Sequence, residues 1–213
     1  MKTKLISCIS TKNEALWLGA GENIDYEFLD FSYHANNSKL HSRLQEIIDQ
    51  SQDYDLISLA CGNCSNCSAG LYSDRVPLLL PATSDCIGLL LGSEEQRKKL
   101  HCQNPATYYF SQGWLDYGRN PLVEYQEYVE IYGEERARNL IGSLYGRYER
   151  AVLIITPGIK NINKYRQKLK DITTFFNWQA GEVIGNLNLL YLVVKGIRGP
   201  GTVYVEPGNK VCV

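Results

Sequence analysis

Three cysteines stand at even intervals in one short polar stretch, Cys61-Gly62-Asn63-Cys64-Ser65-Asn66-Cys67. The spacing C-x2-C-x2-C is that of the first three ligands of bacterial-type ferredoxins. Two residues between ligands make a compact loop that aims successive thiolates at one centre, and a glycine allows the tight turn. The C-x3-C-P segment that would complete a ferredoxin run does not follow, so a distant cysteine must close the set. Cys8 and Cys86 are the candidates. Cys86 follows Asp85 at a predicted helix start, where the helix dipole lowers a thiol pKa and favours ligation and nucleophilic attack alike. The site read from this pattern has Cys8, Cys61, Cys64, Cys67 and Cys86 as metal ligands. Cys86 and Asp85 are its catalytic candidates, Asp85 serving also as an N-cap, and Asn66, Gly113 and Trp114 are its cofactor-binding candidates. Cys102 and Cys212 stand alone and read as small packing residues. His34 and His41 read as surface or hydrogen-bonding residues. No Walker loop, G-x-G-x-x-G fingerprint or H-E-x-x-H is present, and nothing marks a Ser-His-Asp triad.

The elements that must position these residues follow from periodicity. Apolar runs at 4–9, 24–31, 56–60, 77–80, 107–111, 151–156 and 202–206 read as strands. Helical spacing reads at 38–50, from Ser84-Asp85 to about 100, over 122–148 and at 163–176. The segment 187–195 mixes both patterns and reads as helix, with Gly196 as its C-terminal stop. Alternating strands and helices predict an α/β fold, a mainly parallel sheet flanked by helices in a Rossmann-like three-layer architecture. It is read as one domain over residues 1–213, with two sub-lobes divided near 115–150. Ligands of parallel α/β sheets bind beyond the carboxyl ends of the strands. Five cysteines (Cys8, Cys61, Cys64, Cys67 and Cys86) and His34 follow predicted strand ends, so one parallel sheet would gather them on one edge. The turns Gln112-Gly113-Trp114, Thr156-Pro157-Gly158 and Glu206-Pro207-Gly208 fall on the same edge.

Composition narrows the function classes. Of 213 residues, 44% are hydrophobic and 21% charged, which is globular rather than disordered composition. A net charge of -1 offers no basic surplus for nucleic acid. No apolar run reaches the roughly 18–20 residues of a membrane span, and Met1–Ser10 carries no secretion-signal pattern. A cytoplasmic location is therefore expected. Seven cysteines, an odd number, in a chain able to bury its own core point to metal, iron–sulfur or redox chemistry before disulfides. Fifteen tyrosines against five phenylalanines are unusual and carry no functional reading at this level.

The segments Asp85-Cys86-Ile87-Gly88-Leu89-Leu90-Leu91-Gly92-Ser93 and Thr107-Tyr108-Tyr109-Phe110-Ser111-Gln112-Gly113-Trp114 resemble a domain-of-unknown-function family of anaerobic bacteria and methanogenic archaea. Its members carry D-C-I-x-L-L-L-G-S and T-Y-Y-x-x-x-G-W motifs, a C-G-N-G-like loop, a first-strand cysteine and a histidine before the first long helix. Cys64, Cys8 and His34 match the last three. The sequence departs from the pattern where Ala82 and Ser84 replace Arg and His, and where Cys61 and Cys67 are additional. The genomic setting of the resembled family implies anaerobic one-carbon or corrinoid-linked metabolism, with a corrinoid protein or methyltransferase as partner. The expectation that follows is a Cys-ligated metal or iron–sulfur centre acting on a small molecule, with an iron–sulfur cluster preferred to zinc and methyl transfer among the reactions. The alternatives are a metal-free cysteine nucleophile, with Cys86 attacking, and a non-catalytic corrinoid or methyltransferase accessory protein.

Overall fold

The computed structural model describes residues 1–35 and 37–212, with the backbone alone at His34, Ala35, Asn37 and Ser65. The reading of His34 as a surface or hydrogen-bonding residue falls on a side chain outside those described. Strand β1 (Thr3–Cys8) leads through a short 3-10 turn (Ile9–Thr11) to helix α1 (Lys12–Leu18) and strand β2 (Ile24–Leu29). Helix α2 (Asn37–Asp49), strand β3 (Leu56–Ala60), the 3-10 turn Cys64–Asn66 and strand β4 (Leu78–Pro81) follow. Then come α3 (Cys86–Leu91), α4 (Glu94–Gln103), β5 (Thr107–Phe110), α5 (Gln112–Tyr117), α6 (Pro121–Tyr132) and α7 (Glu134–Tyr145). Strand β6 (Arg150–Ile155), α8 (Ile162–Phe176), β7 (Gln179–Ile184), α9 (Asn188–Val194) and β8 (Thr202–Val205) complete the order. No described helix is long and apolar enough to cross a membrane.

The fold is α/β with mainly parallel strands flanked by helices, but the strands form two sheets instead of the one expected. The first has the order β2-β1-β3-β4-β8, with only β8 antiparallel, and the second is the parallel β5-β6-β7. Strand β1 shows why helices cover both faces of the first sheet. Alternate side chains point to opposite sides: Ile6 packs with Leu44, Ile47 and Ile48 of α2, whereas Leu5 packs with Leu89 and Leu90 of α3 and Leu190 and Val193 of α9. Buried on both faces, β3 and β4 read as continuous apolar runs. Ile154 of β6 joins the core of α3 and α9, while Ala151 and Leu153 pack on Tyr165, Leu169 and Ile172 of α8. Helices α3 and α9 therefore sit between the two sheets and seal them together.

Two predicted helices are each split. Gly92 (φ 86) separates α3 from α4, and Gly133 (φ 79) separates α6 from α7. Glycine enters this left-handed region without steric cost, and a helix ends there. Strand β7 was missed because it is an edge strand: its residues are exposed or half-buried, so no apolar run marks it. Helices α1 and α5 are only seven and six residues long, too short to declare a period.

Candidate functional site

The carboxyl ends of β1 and β3 are adjacent, with Ser7 paired to Ala60. Cys8 closes β1 and is buried, and its sulfur accepts from Ser10 N at 3.4 Å and Ser10 Oγ at 3.0 Å. Cys61 and Cys64 lie on the loop leaving β3. That loop presses against the start of α3: a Cβ on Gly62 would fall 2.2 Å from the Asp85 carbonyl carbon. Asn63 N donates to Thr83 O at 2.8 Å. Only a residue without a side chain fits there, and the contact brings Cys61 and Cys64 beside Cys86. The result is a small cavity of ≈ 10 Å³ lined by Cys8, Cys61, Cys64 and Cys86, with Leu29, Asp30, Tyr33, Leu40 and Gly62 completing the wall. That is room for a single water- or ion-sized species. Among the described residues no disulfide joins any of the seven cysteines. Among the described residues, no three His, Cys, Asp or Glu side chains are gathered closely enough to hold a metal ion as they stand.

Burial dominates the electrostatics. It pushes the Cys61 and Cys86 thiols well above the ordinary value, and neighbouring thiols push them further. Cys64 is pushed up to about 12 by burial and then by Cys67 and Cys8. Burial also raises Cys8, against the Ser10 hydrogen bonds that lower it. The expected depression of the Cys86 thiol pKa at a helix start is therefore overturned. Helix α3 has only six residues, and desolvation, followed by the neighbouring Cys8 and Cys64 thiols, sets the direction at Cys86. With no cation present these thiols stay neutral at physiological pH.

The other candidates fall in different places. Cys67 is buried in the core behind the loop, with Ile6, Leu44 and Leu71, and does not line the cavity. Burial pushes its thiol up to about 11. Asp85 is the N-cap of α3: its Oδ1 accepts from Gly88 N at 3.1 Å and its Oδ2 from Arg97 Nε at 2.7 Å. Both oxygens are thus engaged at the start of α3, where Cys86 sits. Asn66 is exposed, in the left-handed conformation, and accepts from Asn63 Nδ2 at 3.1 Å away from the cavity. His41 Nδ1 bonds the Cys67 carbonyl at 3.0 Å, the hydrogen-bonding role expected of it. Cys102 and Cys212, read as packing residues, are exposed; α4, which carries Cys102, buries none of its residues.

Gly113 and Trp114 belong to the joint between the sheets. Ser111 Oγ donates to Ser10 O at 3.1 Å and accepts from Trp114 N at 3.1 Å, capping α5. A Cβ on Gly113 would meet Ser10 O at 2.2 Å. The motif after β5 thus docks onto the turn that carries Cys8. Trp114 packs edge-on against Phe31, with centroids 4.5 Å apart, and helps to line a second cavity of ≈ 180 Å³. Cys86, Ile87, Tyr108, Tyr109 and Tyr148 also line it. Cys86 is the wall common to both cavities. Sequence reasoning missed Ser10, Thr107, Tyr109 and Tyr148. The T-Y-Y motif was the available signal for Thr107 and Tyr109, whereas nothing near Tyr148 marks it.

A family model described as "Protein of unknown function (DUF1638)" matches residues 28–193. The match covers more than half of the chain, and the chain belongs to this family. It includes Cys61, Cys64, Cys86 and Trp114, while Cys8 precedes it. No curated protein and no solved structure matches the chain.

Proposed function

We propose that this member of the DUF1638 family is a metalloprotein in which Cys8, Cys61, Cys64 and Cys86 hold a soft metal centre acting on a small molecule in the adjoining cavity. The observation that carries the reading is the meeting of four thiols, from the end of β1, the loop after β3 and the start of α3, around one ion-sized space. The donor set fits: thiolates select zinc and iron–sulfur centres over hard cations. A cysteine can redirect its sulfur by a χ1 rotation, which is the movement that closing a shell around an ion would call on. The cavity volume favours a single ion such as zinc over an iron–sulfur cluster, the reverse of the preference drawn from ferredoxin-like spacing, because Cys67 lies outside the lining. When bound, such an ion supplies Lewis acidity or activates a thiolate, chemistry that serves methyl transfer. The chain's own residues do the rest. Ser10 hydrogen-bonds the Cys8 sulfur, and Asp85 and Gly62 hold Cys86 against the β3 loop. The raised thiol pKa values count against a metal-free cysteine nucleophile, which needs a thiolate at neutral pH.

The test is metal and acid-labile sulfide analysis of anaerobically purified protein, with single Cys→Ser variants. Stoichiometric zinc or iron, lost in Cys64→Ser and Cys86→Ser and kept in Cys102→Ser and Cys212→Ser, is the expected result. Acid-labile sulfide would identify a cluster. Absence of metal from the native protein, or full metal content in both cavity variants, overturns the assignment.

A further inference from the structure

We infer that the cleft beside the thiol cavity binds a small organic acid with a flat apolar body, its carboxylate at the mouth and its other end facing Cys86. What Cys86 then does rests on the metal-centre reading; the binding itself rests on the cleft. The ≈ 180 Å³ cavity and a neighbouring one of ≈ 290 Å³ share Ile87, Thr107, Tyr109 and Tyr148 and so lie side by side as the inner and outer parts of the proposed cleft. An apolar cavity of about 150 Å³ takes benzene, so the inner part holds a single ring. Ile87, Tyr109 and Tyr148 give it apolar and aromatic walls, and Cys86 lines this part and not the outer one.

The outer part is lined by Arg97, His101 and Arg147. Arg97 is engaged by Asp85 at 2.7 Å and Glu94 at 3.4 Å. Arg147 donates to the Tyr148 hydroxyl at 3.1 Å, with its guanidinium 5.1 Å from that ring's centroid. Among the described residues no carboxylate lies within ion-pair distance of Arg147. One uncompensated guanidinium at the rim of an aromatic slot selects a monoanion carried on an apolar body. Thr107 supports this independently. It is 7% exposed and lines both parts of the cleft, and its hydroxyl has no hydrogen-bond partner among the described residues. A buried hydroxyl without a partner is rare, and a ligand oxygen would satisfy it.

Calorimetric titration of the full chain with benzoate, benzamide and acetate tests the inference. Benzoate should bind, benzamide about tenfold more weakly for want of the charge-assisted hydrogen bond, and acetate not measurably. Arg147 is exposed, so Arg147→Gln keeps the fold. This variant should bring benzoate down to the benzamide level and leave benzamide unchanged. Ile87→Trp should abolish binding of both. No benzoate binding to the native chain, or undiminished benzoate binding in Arg147→Gln, overturns the proposal and leaves the thiol centre standing. Benzoate binding retained in Cys64→Ser supports the cleft whatever the metal analysis returns.

Discussion

At the ends of β1 and β3 the first sheet places Cys8 and Cys61 around a cavity of ≈ 10 Å³. From β5 and the turn after it, the second sheet places Tyr108, Tyr109 and Trp114 around one of ≈ 180 Å³. Side-chain size separates the two. Thiols are small, and four of them from loops tied together by backbone contacts leave a hole fit for one ion. Tyrosine and tryptophan rings pack edge to face, as Tyr108 does on Tyr148 with centroids 5.0 Å apart, and rigid rings that meet at such angles leave a slot between them. Position relative to a sheet edge therefore does not specify the chemistry; the residues delivered there do. Helix α3 joins the two regions, because Cys86 faces both cavities and Ile87 faces the aromatic one. Four of the fifteen tyrosines find their place here too, since Tyr108, Tyr145, Tyr148 and Tyr165 pack in or against the core of the second sheet.

The sharpest way to separate the regions is to remove one side chain from each. Cys64→Ser should lose bound metal entirely, whereas Tyr109→Ala should retain it in full; elemental analysis of both variants decides this. Equal metal loss would mean the cavities are one site.

Gly113→Ala attacks the joint they share. The added methyl would fall 2.2 Å from Ser10 O, which is backbone and has no easy escape. A loss of about 1–3 kcal/mol is expected, with weakened metal retention and weakened ligand binding together. Denaturant unfolding measures the first, and an unchanged midpoint would show that the sheets are not held through this contact.

Asp85→Ala removes a helix cap and is expected to cost about 1 kcal/mol. It should lower metal affinity without abolishing it, because Asp85 positions Cys86 and does not ligate. A metal competition titration reads the change; complete loss would make Asp85 a ligand.

Glu14 gives the smallest effect. It lies in α1, buried, with Oε1 accepting from Thr156 Oγ1 at 2.8 Å and Oε2 without a partner among the described residues. Burial raises its pKa in the folded state. The folded chain therefore holds the proton more tightly than the unfolded chain does. The stabilisation is complete below the unfolded carboxyl value and is lost as pH rises through the folded one. Glu14→Gln should raise Tm at neutral pH and flatten its pH dependence above about pH 4. Melting curves across that range provide the measurement, and parallel pH profiles for the two proteins would refute it.

Much of the first sheet was legible along the chain. Runs such as Leu56–Ala60 are buried on both faces and announce themselves, and α2 shows its inward stripe at Leu40, Leu44, Ile47 and Ile48. The edge strand β7 was not legible, because exposed residues carry no hydrophobic pattern. Within the site, Cys8, Cys61, Cys64 and Cys86 were marked by residue type and by their places after strands. The division of labour between Cys64 and Cys67 was not. Both belong to one evenly spaced triplet, and only the 3-10 turn at Cys64–Asn66 sends one sulfur to the cavity and the other to the core.

Local sequence thus determined which elements form and which side chains follow the strands, because periodicity, caps and glycines act over a few residues. Tertiary structure alone decided that the strands divide into two sheets and that Tyr148 lines one cavity with Cys86. It also decided that burial raises the pKa of that thiol. Each of these depends on contacts between residues far apart in the chain, and on the desolvation those contacts impose.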